Sequence, residues 1–294
     1  FLSSYEKLRG KLLTHSTILS MAHLGERGFD TIGGAVVSTT AFVIQNAHHT
    51  SLKGDYARLV DGNSEAEKSA QMKVAIQNPE CGWLYRASTE DFGEISGSPV
   101  AYWVSRKLRD VYKYKSIESI TISDGQNKTG NNDRFLRSHW EVSKSTIGVS
   151  AKWFFYAKGG GFRKWAGNLE EVIDWSDSAR QHYRKDHVCR IIPENLWYKI
   201  GITWGLISTS KPSFRFLPED ATFDVGGSSI FFKDDSNLHY TLGFLNTKLA
   251  LNILKISNPT VNFQVKNIRD VPFAVIGKRE LIENIAKSSV DISE

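Results

Sequence analysis

A mixed architecture, α/β plus α+β, is predicted for this chain by three features. Apolar residues make up 40% of its 294 residues and aromatics 12%, enough to build buried cores. Stretches with apolar side chains at helical spacing alternate with short β-branched runs. Glycine, asparagine and proline punctuate the junctions. The length allows one large domain or two small ones. No stretch approaches the roughly 20 apolar residues of a membrane span, and Phe1-Leu2-Ser3-Ser4-Tyr5-Glu6-Lys7 forms no signal peptide. No membrane partner is therefore expected. Cys81 and Cys189, far apart in sequence, make no disulfide framework and agree with a reducing cytoplasm. A chain that opens on Phe1 without Met reads as a piece of something longer.

From the N-terminus, Leu2, Tyr5, Leu8, Leu12 and Leu13 predict an amphipathic helix over 1–13. Residues 17–24 read as a buried strand ended by Gly25, and 35–44 as a second strand. Between them, glycines flank an exposed-looking Phe29. A helix over 64–76 is opened by Ser64 and Glu67 at capping-box spacing. The 92–99 stretch is the best boundary, and Pro99 can open a helix over 100–113. From Ser116 to Pro218 the chain breaks into short β-like runs, and 223–231 is a further strand and turn. A helix over 237–256 buries Leu245, Leu249, Ile253 and Leu254 and is closed by Asn258-Pro259. A short helix over 278–289 ends the chain. Three regions follow: 1–97, 98–276, and a helical tail over 277–294.

Charge is unevenly spread. Residues 1–97 carry −2, residues 98–190 carry +7 and residues 191–294 are neutral, against +5 for the whole. In the middle third basic residues interleave with aromatics: Lys152 before Trp153-Phe154-Phe155-Tyr156, Lys158, Phe162-Arg163-Lys164-Trp165, then Arg180, Tyr183, Arg184 and Lys185. Cations neutralise phosphates and aromatic faces stack on unpaired bases, so nucleic acid fits. A solvated basic face over a Trp-rich core fits as well.

The usual cofactor loops are absent. Gly159-Gly160-Gly161 leads into Phe162-Arg163-Lys164, not the Lys-Ser/Thr of a phosphate loop, and no G-x-G-x-x-G follows a strand. His182, His187 and Cys189 lack a fourth ligand for zinc and read as basic surface, so no metal is expected. Asp174, Asp177 and Asp186 offer no metal pair. No G-x-S-x-G elbow occurs.

The run His23-Leu24-Gly25-Glu26-Arg27-Gly28-Phe29, followed by Val37-Ser38-Thr39-Thr40-Ala41-Phe42-Val43-Ile44, resembles the last catalytic-domain hairpin of S-adenosylmethionine-dependent adenine-N6 DNA methyltransferases of the TaqI type. Tyr240 to Leu249 and Asn258 to Pro272 resemble the closing helix and strand of that family's target-recognition domain. The run from Gly125 to Phe135 is similar to its G-x-x-T-G-x-N-x-x-F pattern, with Gly125 one residue further upstream. Ser98-Pro99-Val100-Ala101-Tyr102-Trp103, Lys158-Gly159-Gly160, Phe162-Arg163-Lys164-Trp165, Gly201-Ile202-Thr203-Trp204 and Gly226-Gly227-Ser228-Ser229-Ile230-Phe231 look like the PglX type found in bacterial BREX phage-defence systems. The resemblance covers nearly the whole chain. It implies the terminal helix and β-hairpin of a Rossmann-like methyltransferase sheet over 1–97 and a mixed α/β target-recognition domain over 98–276. It also implies double-stranded DNA as partner, other defence-system subunits as further ones, and S-adenosylmethionine as methyl donor of the parent enzyme. The catalytic N-P-P-Y motif and the methionine-binding loop are missing; Asn78-Pro79-Glu80 and Asn258-Pro259-Thr260 replace neither. This chain alone is expected to bind no cofactor and transfer no methyl group.

A base methylated at N6 must leave the duplex stack and lie against an aromatic face. The resemblance assigns that role to Phe29, the alternative being a loop Phe tucked on the core. Thr39 and Thr40 read as strand packing. Lys128, Thr129, Asn131, Asn132 and Arg134 sit on a glycine-rich turn where Asn and Arg can read base edges and Lys and Thr hold phosphate; an ordinary turn is the equal alternative. Lys152, Lys158, Arg163 and Lys164 cluster around three glycines as phosphate candidates. Ser208, Ser210, Lys211 and Arg215, and Ser228 and Ser229 beside Asp224, are further DNA candidates, though Asp224 repels phosphate. Seven of the eight tryptophans, Trp103, Trp140, Trp153, Trp165, Trp175, Trp197 and Trp204, are mostly core, with one or two free to stack. The competing reading is a DNA-specificity subunit or protein-interaction module with no enzymatic role. The hairpin over 17–45 favours the methyltransferase part, since a pure recognition subunit has no need of Phe29 in such a turn.

Overall fold

The structure, a computed structural model, describes residues 5–32, 37–209, 211–258, 260–275 and 277–293. The chain divides into two compact units, Phe1–Lys113 and Tyr114–Glu294. The division lies beyond the expected 97/98 boundary because the intervening segment packs into the first unit. Tyr102 stacks on Tyr56 with ring centroids 4.9 Å apart, and Arg109 pairs with Asp91 at 2.7 Å and Glu94 at 2.8 Å.

The first unit contains α1 (Glu6–His15), β1 (Thr17–Gly25), β2 (Thr39–Gln45), β3 (Gly54–Arg58), α2 (Glu65–Gln77), β4 (Leu84–Ala87), α3 (Thr89–Gly93) and α4 (Arg106–Arg109). Its sheet runs β2-β1-β3-β4; β1 is antiparallel to β2 and parallel to β3, and β4 closes the other edge antiparallel to β3. The β1–β2 pair is the expected hairpin, although β2 starts at Thr39 and residues 35 and 36 of the expected strand lie outside the described residues. Both β3 and β4 are too short for alternation to reveal them. Helix α2 is capped as expected: Ser64 Oγ accepts from Glu67 N at 3.2 Å, while the Glu67 carboxylate accepts from Asn63 N at 2.7 Å.

Two helix expectations need correction. In α1 the buried residues are Arg9 and Leu13, while Tyr5, Leu8 and Leu12 are exposed. The Arg9 guanidinium donates to the carbonyls of Gly97 and Ser98, which turns that face inward. The helix expected over 100–113 is reduced to α4 and a following 3-10 turn. The segment 100–105, with Ala101 and Tyr102 buried, is not helical, and Ser105 caps a fresh start by accepting from Leu108 N.

The first core gathers Leu13, Met21, Tyr56, Ala87, Phe92 and Tyr102. His23 borders it, 2.9 Å from Tyr102 Oη, and burial, with Arg58 nearby, lowers its pKa from 6.5 to about 4. Between those values the unfolded chain takes up a proton that folded His23 refuses. Stability of the first unit is therefore expected to fall as pH drops from 6.5 toward 4. Thermal melts across that range, with His23→Gln flattening the dependence, check this.

The second unit contains β5 (Thr121–Ile122), α5 (Asn132–Phe135), β6 (Leu136–Ser138), β7 (Trp153–Ala157), β8 (Glu171–Asp174), α6 (Asp177–Lys185), β9 (Gly201–Trp204), β10 (Phe214–Leu217), β11 (Ala221–Phe223), β12 (Ser229–Phe232), α7 (Leu238–Leu245), α8 (Lys248–Ser257), α9 (Val265–Arg269) and α10 (Arg279–Ser293). One sheet runs β10-β9-β12-β5, antiparallel throughout; the other runs β11-β7-β8-β6, with β11 and β7 parallel. The expected 237–256 helix is broken, because Thr247 caps α8 through Ala250 N at 3.2 Å. The break changes the buried face: Leu245, Ile253 and Leu254 are core as expected, but Leu249 is 48% exposed. Helix α10 supplies the expected helical C-terminus. It packs on α7 where Gly243 has no side chain; a Cβ there would stand 3.1 Å from Ile282. Among the described residues no helix is long and apolar enough to cross a membrane.

Candidate nucleic-acid interface

In the first unit Phe29 stands 44% exposed beyond the end of β1. Gly25, at φ +67°, and Arg27, at φ +54°, turn the chain, and Ile32 N donates back to Phe29 O at 3.1 Å. The turn is fastened to the start of α2 by a reciprocal pair: Asp30 N donates to Glu65 Oε1 at 2.8 Å and Glu65 N to Asp30 Oδ1 at 3.0 Å. Below it the buried Lys68 ammonium donates to the carbonyls of Leu24 and Leu59 at 2.7 and 2.9 Å. Phe29 lines a cleft of about 560 Å³ with Leu24, Leu59, Met72 and Lys73. Its turn is thus fixed at both ends while the ring stays accessible, which is what a stacking platform needs. Thr39 and Thr40 pair with Gly25 and His23 in the sheet.

In the second unit the 125–135 run is organised by Asn127, to which sequence reading gave no role. Buried Asn127 accepts from Ile192 N through Oδ1 at 2.9 Å and donates through Nδ2 to Thr222 Oγ1. Its own N–H donates to Phe223 O at 3.0 Å, and its carbonyl accepts from Tyr156 Oη at 3.3 Å. A side chain that saturates both ends of its amide fixes the loop more firmly than apolar contact alone.

The next residue, Lys128, exchanges two main-chain hydrogen bonds of 2.9 Å with Arg190 in an isolated antiparallel bridge. Residues paired in this way project to the same face, so two exposed cations are held side by side. Neither takes part in an ion pair among the described residues. Both line a cleft of about 580 Å³ with Gln126, Asn131, Asn132, Asp133, Tyr156 and Asp224. Like charges opposed across a bridge repel, and an anion between them removes the repulsion. Arg190 was not among the expected residues; only pairing across the fold places it there.

The other members of this loop are partly committed. Thr129 is buried and donates to Asn132 Oδ1 at 2.6 Å. Asn131 caps α5 by accepting from Arg134 N at 3.0 Å, and the Arg134 guanidinium lies 4.7 Å from the centre of the Phe135 ring. Each Asn amide oxygen is engaged within the turn, which leaves the amide N–H donors for a ligand. Asp224 accepts from the N–H groups of Gly226 and Gly227, and burial raises its pKa.

Several expected phosphate contacts have structural work instead. Arg215 is buried, with its guanidinium donating to the carbonyls of Arg163, Ser213 and Gly159, and burial lowers its pKa to about 10. Ser228 and Ser229 are buried and donate to Val225 O and Gly227 O. Lys164 donates to Asn246 O at 2.7 Å, beyond the end of α7, and Arg163 to Ser293 O at 3.1 Å, at the end of α10. Cations at helix C-termini complement the unpaired carbonyls there. Of the three glycines, Gly159 serves close approach of two loops: a Cβ on it would lie 2.6 Å from Gly226 O, and one on Gly227, in the facing loop, 2.1 Å from Ala157 O, whereas Gly161 borders open space.

Lys152, Lys158, Ser208 and Lys211 are placed at the surface or partly so. Lys152 is exposed, 3.7 Å from Asp174 and 4.8 Å from the Trp153 ring centre. Lys158 is ion-paired with Glu171 at 3.0 Å. Lys211 is exposed, its carbonyl accepting from Ser208 Oγ at 2.6 Å. Ser210 lies outside the described residues. Arg180 and Arg184 flank Trp197 and pair with Asp177 and Glu194. Trp153, Trp175 and Trp204 are buried, whereas Trp140 is 68% exposed and free to stack.

No protein-family model matches the chain. It is 37% identical over 300 residues to the adenine-specific methyltransferase PglX of Lacticaseibacillus casei (strain Zhang), covering 96% of this chain and 25% of that protein. It is 34% identical over 306 residues to the adenine-specific methyltransferase BrxX of Escherichia coli O9:H4 (strain HS), covering 100% of this chain and 24% of that protein. The chain thus spans about a quarter of the length of the curated relatives it matches. The solved type IIG restriction endonuclease BpuSI aligns with 96% of this chain and 40% of its own at 8% identity, with a TM-score of 0.32, too low to define a shared fold.

Proposed function

The chain is related over its whole length to part of the adenine-specific methyltransferases PglX and BrxX, and from that relation we propose that it is the DNA target-recognition portion of such an enzyme. In this reading the second unit binds duplex DNA, and the first is the edge of the methyltransferase domain, whose Phe29 receives the flipped adenine. The methyl group comes from S-adenosylmethionine held by residues other than these, and the parent enzyme modifies adenine N6 in phage defence of the BREX type.

The observation that carries the DNA-binding half is the Lys128–Arg190 bridge. It sets two unpaired cations on the rim of a cleft whose remaining polar lining suits base edges. Phosphate between the two cations would fix the register of the duplex, and the amide N–H groups of Asn131 and Asn132 would lie within the same cleft.

This chain is expected to bind duplex DNA with an affinity that falls steeply as salt rises. If Lys128, Arg190 and Lys152 each neutralise one phosphate, log affinity against log salt has a slope of about −3, at about 0.9 per phosphate. Lys128→Ala and Arg190→Ala should each reduce the slope by about one. Fluorescence anisotropy over a salt series measures this; a slope unchanged in both variants removes the bridge from the interface.

A further inference from the structure

We propose that His182, Asp186 and Cys189 bind one zinc ion. In sequence His187 looks like the second ligand, but the fold brings Asp186 into that place. His182 lies in the last turn of α6, Asp186 follows four residues on as its C-cap, and the chain then turns so that Cys189 closes the group. One ligand atom from each residue lies within 4.8 Å of the other two, and His182 Nε2 is 3.9 Å from Asp186 Oδ2. Zinc bonds of about 2.0–2.3 Å in a tetrahedron set ligand atoms about 3.3–3.8 Å apart. The group therefore needs to contract by about 1.5 Å at most, within reach of side-chain torsions.

The ligands are also oriented. Asp186 Oδ1 accepts from Val188 N at 2.8 Å, which leaves Oδ2 as the oxygen near His182. The His182 ring lies over Phe135, with centroids 5.0 Å apart. Cys189 is buried, and Gly130 leaves room for its sulfur: a Cβ there would stand 2.8 Å from Sγ. Sulfur, imidazole nitrogen and a single carboxylate oxygen together suit zinc, whereas magnesium and calcium take oxygen alone. The fourth position falls to water, since His182 and Asp186 are half-buried.

On binding, the Cys189 thiol releases its proton to solvent and the thiolate becomes the sulfur ligand. Its present hydrogen bond to Thr129 O, at 2.9 Å, shows how near the site lies to the cleft loop. Zinc would clip the end of α6 to the segment 186–189 beside Thr129 and Gly130. The proposal does not depend on the DNA-binding reading.

The test uses the whole chain, stripped with chelator and titrated with zinc against a chromophoric competitor, then with cobalt as a spectroscopic substitute. One equivalent should bind with a dissociation constant of about 1 µM or tighter, and the melting midpoint should rise with zinc and fall on chelation. The cobalt form should show the thiolate charge-transfer band together with strong tetrahedral visible bands. Cys189→Ser should abolish the thiolate band. His182→Gln and Asp186→Asn should weaken binding by more than the roughly 10–100-fold that loss of an outer-shell partner costs. If Cys189→Ser does not fold, the two half-exposed variants decide the matter. Absence of stoichiometric binding, equal affinity in those two variants, or a wild-type cobalt complex lacking the thiolate band overturns the proposal.

Discussion

On the proposed reading of this chain as the recognition part of an adenine methyltransferase, Phe29→Ala in the full-length enzyme is expected to cut methylation by about 10–100-fold while changing DNA affinity by less than about threefold. An aromatic platform contributes about 1–3 kcal/mol per stacked base, which at about 1.4 kcal/mol per tenfold gives a loss of that size. The asymmetry follows from position. Phe29 is 44% exposed in a turn held by Asp30, Glu65 and Lys68, so removal of the ring deletes a platform and leaves its mounting intact. Phe29→Trp keeps a π face and should retain more activity than Phe29→Leu, which keeps bulk alone. A 2-aminopurine at the target position reports flipping directly, because its fluorescence rises when unstacked. Equal loss of binding and methylation in Phe29→Ala would mean that the ring supports the fold or the duplex, not the flipped base.

Sequence and structure agree where the determinants are local. The β1–β2 hairpin is legible because a β-branched run follows a glycine-rich turn, and α2 because Ser64 and Glu67 mark its start. The break between α7 and α8 is hidden inside a continuous apolar pattern, since Thr247 is a capping residue only once the chain has bent. The site divides in the same way. The 125–135 run is visible from its glycines and asparagines. Which cations remain available to a ligand is decided by partners far away in sequence: Lys164 by Asn246, Arg163 by Ser293, and Arg215 by Gly159. Arg190 joins the cleft only because its main chain pairs with Lys128. Composition alone therefore does not distinguish cations engaged within the fold from those left open to a ligand, and it does not point to Arg190.

Asn127→Ala is expected to destabilise the second unit by about 3 kcal/mol and to blur sequence discrimination in whatever DNA binding remains. Removing the amide leaves Ile192 N–H without its acceptor and Thr222 Oγ1 without its donor, in a place where water is excluded. An orphaned buried polar group costs about 1–3 kcal/mol, and here there are two. The methyl of alanine also leaves a void that the surrounding strands fill only in part. Asn127→Asp separates the contributions. It keeps an acceptor for Ile192 N and a second oxygen to which the Thr222 hydroxyl can donate, but it buries a carboxylate in the cleft that holds Asp224. That variant should be unstable at neutral pH and recover as the new carboxylate is protonated, whereas Asn127→Ala should show no such recovery. Denaturant melts of both variants at neutral and mildly acid pH measure the difference. Lys128 follows Asn127 directly, so a loosened loop also frees the Lys128–Arg190 register; anisotropy with competing duplexes should then show a narrower gap between preferred and unrelated DNA. A full loss of stability with discrimination intact in the folded fraction would separate the loop's anchoring from base reading and return specificity to other residues of the second unit.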